Sequence, residues 1–209
     1  CLMGEKILDI TGILNGTTNF ILTKMDKEGW AFDSALKEAQ RLGYAERNPE
    51  ADVEGHDTCR KLAILTAMAT GKEVNYEDIY TEGITAISDV DFRYADKMGM
   101  SIKLFGASRV GRDEMVNAYV APIMIDRRHP LYTVSDVYNG ILVTGNMLGE
   151  TMYYGSGAGK LPTASAVVAD IIDAAKHVNR NVVMGWSSER QQIAPMEANE
   201  FRYFMRMAG

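Results

Sequence analysis

The sequence predicts an α+β fold, a mixed and mainly antiparallel sheet with helices covering one face, and two observations lead there. The first half of the 209 residues is dominated by helical periodicity, whereas from Ser101 onward the apolar pattern takes the period of strands. Four strand-like runs then follow one another through short turns, the arrangement of antiparallel strands. With 46% hydrophobic residues the chain can bury a sizeable core, and it reads as one compact unit. A helical half followed by four strands leaves one sheet face short of helices from the same chain. That face is expected to meet a second copy, giving a homodimer through the sheet.

Taken in order, residues 5–13 are β-rich and run into Asn15-Gly16, after which TTNFILTKMDKEG reads as a helix with Thr17 near its start. Backbone N–H groups at such a helix start, with the Asn15, Thr17 and Thr18 side chains, suit a carboxylate or a cofactor oxygen; equally, those side chains simply cap the helix. A second helix, SALKEAQRLG, is expected to be capped by Asp33 or Ser34 and to stop at Gly43. The stretch from Gly43 to Lys61 then puts five carboxylates and one lysine into a loop feeding a third helix, DTCRKLAILTAMATG. On that helix Asp57 lies one turn before Lys61, and Lys61, Leu65 and Met68 share the spacing of one face. A lysine on such a stripe loses water, which lowers its pKa, while the neighbouring carboxylates raise it, so its proton affinity is tunable for proton transfer. The alternative is a lysine whose stem covers apolar surface and whose head pairs with Asp57.

Residues 72–86 form a mixed connection with a helical turn near Tyr76 to Ile79, and SDVDFRYADKMG is a helix that Ser88 or Asp89 caps. SIKLFGASRV and EMVNAYVAPIMI follow as strands joined by Gly111-Arg112-Asp113, then GILVTGNM and ETMYYGS. A glycine-rich turn, GSGAGKLPT at residues 155–163, leads into the helix TASAVVADIIDAAKHV. It departs by one residue from both the Walker and the dinucleotide spacings, so it is either a close-approach loop for a ligand or a tight turn before a packed helix. Residues 1–178 read as the folded domain and 179–209 as a tail or linker, FRYFMRM resembling the start of a further strand.

The net charge of -6, from 22 basic against 28 acidic residues with no basic run, argues against nucleic acid or an anionic membrane surface and leaves a small polar substrate open. Cys1 and Cys59 form no disulfide framework or metal-ligand pattern, which points to a reducing, cytoplasmic setting. No apolar run approaches the ~20 residues that span a bilayer. The chain begins at Cys1 rather than Met and enters a strand almost at once. It is expected to be part of a longer protein.

Three motifs in order, GILNGTTNFILTKM, GYAE with DVEGHDTCRKLAIL, and GSGAGKLPTASAVVADI, resemble the substrate-binding part of homoserine dehydrogenase. The resemblance covers residues 1 to about 180, and implies the fold of the C-terminal domain of glyceraldehyde-3-phosphate-dehydrogenase-like enzymes. It implies NAD- or NADP-dependent interconversion of L-homoserine and L-aspartate 4-semialdehyde, on the route to threonine, methionine and isoleucine. By the same resemblance Lys61 transfers the proton and Asp57 orients it or contacts substrate. Glu46, Asp52, Tyr44, Gly16 and Thr17 then bind substrate, and Gly157, Ala158 and Gly159 touch the cofactor. Most of the cofactor site, a second lysine and a monovalent-cation site are expected in a nucleotide-binding domain preceding Cys1, and a regulatory ACT domain after the tail, so this stretch alone is expected to be inactive. Asn48 and Thr58 stand where the family commonly has an acid and a small apolar residue, without altering the proposed chemistry.

Two other readings stay open at this level. One is a non-catalytic amino-acid sensing or assembly module. The other is a related dehydrogenase acting on another aldehyde, which Glu46, Asp52 and Asp57 disfavour because a phosphorylated substrate would call for arginines there.

Overall fold

The computed structural model describes residue 2 and residues 4–111, 113–157, 159–180, 187–198 and 200–205. Arg112 of the first hairpin, Cys1 and Ala158 lie outside these. Among the described residues six strands form one sheet in the order β2-β4-β3-β1-β5-β6: β1 is Ile7–Ile13, β2 Tyr80–Thr81, β3 Met100–Val110, β4 Val116–Asp126, β5 Tyr138–Gly145 and β6 Gly149–Ser156. All neighbours are antiparallel except β2, which runs parallel to β4. The mixed, mainly antiparallel α+β architecture read from the sequence is the one observed.

Five helices occupy the first half: α1 Gly16–Glu28, α2 Phe32–Arg41, the single turn α3 Glu50–Val53, α4 His56–Thr70 and α5 Asp89–Lys97. Residues of these helices and the even-numbered positions Ile102, Leu104, Val116, Ala118 and Val120 of β3 and β4 make the main core. Residue caps explain several helix limits. Asn15 accepts from the Thr18 N–H, Ser88 and Asp91 form a capping box, and Gly71 ends α4 in the left-handed region. The cap expected from Asp33 or Ser34 is not formed: α2 starts from Ala31 without a side-chain cap, and Asp33 lies in its first turn, where a carboxylate still complements the helix dipole.

The opposite sheet face, expected to be short of helices from the same chain, is covered in part by a 3-10 turn and by the tail. Ile13, Phe105 and Ile125 pack there on Leu131 and Val134 of the 3-10 turn Pro130–Thr133 and its exit. Tyr119 meets Phe201 of the tail edge-on at 5.1 Å. The stretch expected to be a linker also returns to the body. Gln191 N donates to Glu73 O at 2.7 Å, Ala194 N to Val116 O at 2.9 Å, and Gln191 is 5% exposed.

At the other edge, α6 (Lys160–Lys176) follows β6 and has no buried residue. It begins at Lys160, three residues before the expected Thr163, with Pro162 inside its first turn.

Candidate active site

β1 lies between β3 and β5, and past its C-terminal end the chain runs through Leu14 and turns at Asn15 into α1. The acidic loop reaches the same point because Ala45 and Val53 are buried in the main core, leaving the polar residues between them at the surface. Asn15, 6% exposed, organises the junction. Its Oδ1 accepts from Thr18 N at 2.9 Å, which directs Nδ2 outward to donate to Asp52 Oδ1 at 2.7 Å and to Asp57 Oδ2 at 2.8 Å. One amide thereby holds two carboxylates from a loop helix and a helix start side by side.

Asp57 Oδ2 also meets Lys61 Nζ at 2.7 Å, one turn along α4, and Lys61 Nζ donates to Leu14 O at 3.1 Å. Two of the three ammonium hydrogens are engaged in this way, and a third is available to a ligand oxygen. The buried stripe expected for Lys61 is not present. The core face of α4 is Thr58, Cys59, Leu62, Ala63, Thr66 and Ala67, while Met68 is 61% exposed and the Lys61 side chain 48% exposed. The helix is rotated so that Lys61 stands at the rim, and its aim is set by Asp57 and Leu14 O rather than by desolvation. In water such a pair contributes at most about 1 kcal/mol, so its value is geometric.

Asp52 is the perturbed acid. Burial pushes its carboxyl pKa up, the Asn15 hydrogen bond opposes this, and the charges of Asp57 and Glu46 push it up further against the pull of Lys61. Glu46 belongs to the same electrostatic group but is exposed. Thr17 Oγ1 donates to Tyr44 O at 2.7 Å, and the Tyr44 ring packs edge-on against Phe20 at 5.2 Å, which fixes the loop's start against α1. Gly16 is pressed against the segment before β5: a Cβ there would lie 2.9 Å from Val137 O. The substrate-side residues read from the sequence, Gly16, Thr17, Tyr44, Glu46, Asp52, Asp57 and Lys61, therefore fall around one junction.

The glycine turn approaches that junction from β6. A Cβ at Gly157 would lie 2.4 Å from Asn139 Nδ2, and Asn139 Nδ2 donates to Leu14 O at 3.1 Å, the carbonyl that also accepts from Lys61. Gly159 has φ +115, a backbone favouring glycine, and no side chain caps the start of α6. One site residue, Asn139, was not singled out from the sequence, because its partner is 125 positions away and leaves no local signal. Asn15 was legible both as a ligand-side residue and as a cap, and its Oδ1 does cap α1.

The family model described as homoserine dehydrogenase matches residues 1–172. The homoserine dehydrogenase of Synechocystis sp. is 51% identical over 173 residues, covering 81% of this chain and 40% of that protein. That of Neisseria gonorrhoeae is 42% identical over 99% of this chain and 49% of its own length. Among solved structures, a homoserine dehydrogenase from Thiobacillus denitrificans superposes with TM-score 0.86 at 42% identity, over 95% of this chain and 48% of that one. A hyperthermophilic archaeal homoserine dehydrogenase in complex with NADPH gives 0.69 at 33% identity, over 84% and 49%. The chain thus spans about half the length of the curated relatives it matches.

Proposed function

The chain belongs to the homoserine dehydrogenase family, and from that premise we propose that it supplies the substrate-binding and proton-transferring part of an NAD(P)-dependent enzyme interconverting L-homoserine and L-aspartate 4-semialdehyde. The observation that carries this reading is the Asn15-centred cluster, which sets Asp52 and Asp57 beside a lysine with a donor to spare.

A homoserine molecule offers an α-ammonium, an α-carboxylate and a terminal alcohol. Asp52 and Glu46 form the negative rim that the ammonium pairs with through charge-assisted hydrogen bonds. The backbone of Gly16 and Thr17, at the positive end of α1, suits the carboxylate. Tyr44 closes the same side, held by Thr17 and Phe20. At the reacting end Lys61 faces the oxygen. As the aldehyde becomes an alcohol its oxygen gathers negative charge, and the Lys61 ammonium donates the neutralising proton; in the reverse direction neutral Lys61 takes it back. Asp57 holds Lys61 Nζ in register with Leu14 O.

The nicotinamide supplies or accepts the hydride when bound. The glycine turn fits such a cofactor, because Gly157 lies directly on Asn139 and Gly159 takes φ +115 before an α6 start that no side chain caps. Gly157 and Gly159 are the contacts assigned to it; Ala158 lies outside the described residues. The monovalent cation that the resemblance implies for the whole enzyme finds no cluster of three or more His, Cys, Asp or Glu side chains among the described residues.

The division at residue 178, with a catalytic part before it and a tail directed to a regulatory domain after it, belongs to the same proposal. So do cytoplasmic placement, consistent with the absence of any described helix long and apolar enough to cross a membrane, and a homodimer through the open part of the sheet. Val167, Val168, Ile171 and Ile172 form an exposed stripe on α6 that we assign to contact with the nucleotide-binding part. The test is homoserine-dependent reduction of NAD or NADP by the complete enzyme, wild type beside Lys61→Ala. Turnover by wild type that needs homoserine supports the reading, and an enzyme inert to homoserine overturns it.

A further inference from the structure

Asn139 has no role in the scheme above, yet it stands where three of its parts meet. It lies near the start of β5, next to Gly140, which pairs with Ile13 at the end of β1. Its Nδ2 donates to Leu14 O at 3.1 Å, and Lys61 Nζ donates to the same oxygen at 3.1 Å. A carbonyl oxygen has two acceptor positions, so these donors between them saturate it and fix its direction.

The glycine turn rests on the same amide. A Cβ at Gly157 would fall 2.4 Å from Nδ2 and 2.8 Å from Cγ of Asn139, so a side chain there would displace the amide. The other end of the amide differs. Oδ1 is buried and has no hydrogen-bond partner among the described residues, and a Cβ at Gly16 would lie 3.5 Å from it. An amide that served only to fasten β5 to β1 would be expected to bond through both ends, because a buried unpaired oxygen is costly.

We propose that Asn139 is a positioning residue for Lys61: its N–H sets the Leu14 carbonyl that anchors the lysine, and the glycine turn lying on the same amide links the lysine's aim to the seating of the cofactor. This rests on the reading of Lys61 as the proton donor in the homoserine reaction.

The test compares Asn139→Asp and Asn139→Ala with wild type in the complete enzyme, measuring kcat and KM for homoserine across pH. An ionised aspartate cannot donate to Leu14 O, whereas a protonated one can. The Asp variant should therefore lose on the order of tenfold or more in kcat at neutral pH and recover relative to wild type as the medium is acidified. The Ala variant should show a loss whose ratio to wild type does not change with pH, and KM should stay within about threefold in both. A role confined to strand fastening would lower the urea midpoint of both variants while kcat per folded molecule stays at the wild-type value. Wild-type kcat in either variant, or a flat ratio for the Asp variant, overturns the proposal. A wild type inert to homoserine overturns the functional reading itself, and this inference with it.

Discussion

In the proposed scheme, recognition and chemistry are divided between Glu46 and Lys61. Lys61 has its direction set by Asp57 and Leu14 O, whereas Glu46 is exposed on a loop anchored by Ala45 and makes its influence felt through charge, raising the Asp52 carboxyl. Replacing Glu46 by Gln keeps the shape and removes the charge. Because the carboxylate sits at a solvated rim, the expected effect is a KM for homoserine raised on the order of fivefold, corresponding to about 1 kcal/mol, with kcat little changed. An analogue lacking the amine is the control, since wild type and variant should handle it alike. A loss of kcat on both compounds with KM unchanged would move Glu46 into the chemical step. The acids and the lysine were legible in the sequence because they crowd one loop and one helical turn. What the sequence did not reveal was orientation: the Lys61, Leu65, Met68 spacing fits a helical stripe equally well on either side, and only packing of Leu62 and Thr66 against the sheet decides which side is buried.

Among elements, the segment between the 3-10 turn Pro130–Thr133 and β5 is the one that ties sheet, α1 and site together. Val134 O accepts from Lys103 Nζ at 2.7 Å, Asp136 N donates to Thr23 Oγ1 at 3.0 Å, and Tyr138 O accepts from Asn19 Nδ2 at 3.0 Å. Lys103 is 2% exposed, and burial brings its pKa down to about 8. In the unfolded chain a lysine titrates near 10.4, so between these values the unfolded state binds more protons and stability rises with pH. Below about 8 the ammonium is charged in both states and the full cost of burying it is present. The gap corresponds to about 3 kcal/mol. Urea unfolding of wild type and Lys103→Met at neutral pH and near pH 10 should show this gain in wild type and lose it in the variant. Equal pH slopes in the two would exclude Lys103 as its source. The strands β3 to β6 were legible from alternation and turn residues. The insertion of β1 between β3 and β5 was not, because it depends on pairings such as Ile10 with Val143 that leave no local pattern, and β2 has only two residues.

In the whole molecule, what remains open on the surface matches what the architecture needs. Tyr138 and Tyr154 stack at 5.1 Å on the sheet, and with Met152 they stay substantially exposed. An exposed apolar area of this kind is uncommon on a monomer. Sedimentation at micromolar concentration should find the complete protein dimeric, and a monomer would contradict the assignment of this face. The tail was read as a linker because residues 179–199 lack periodicity, yet backbone pairing of 191 and 194 holds part of it without needing any. In the proposed scheme the chain brings a proton donor to a substrate held by its acidic loop. The most direct measurement is kcat and KM for homoserine in the complete enzyme carrying Lys61→Ala. The account predicts a fall in kcat on the order of a hundredfold or more with KM comparable to wild type; a near-normal kcat would contradict it.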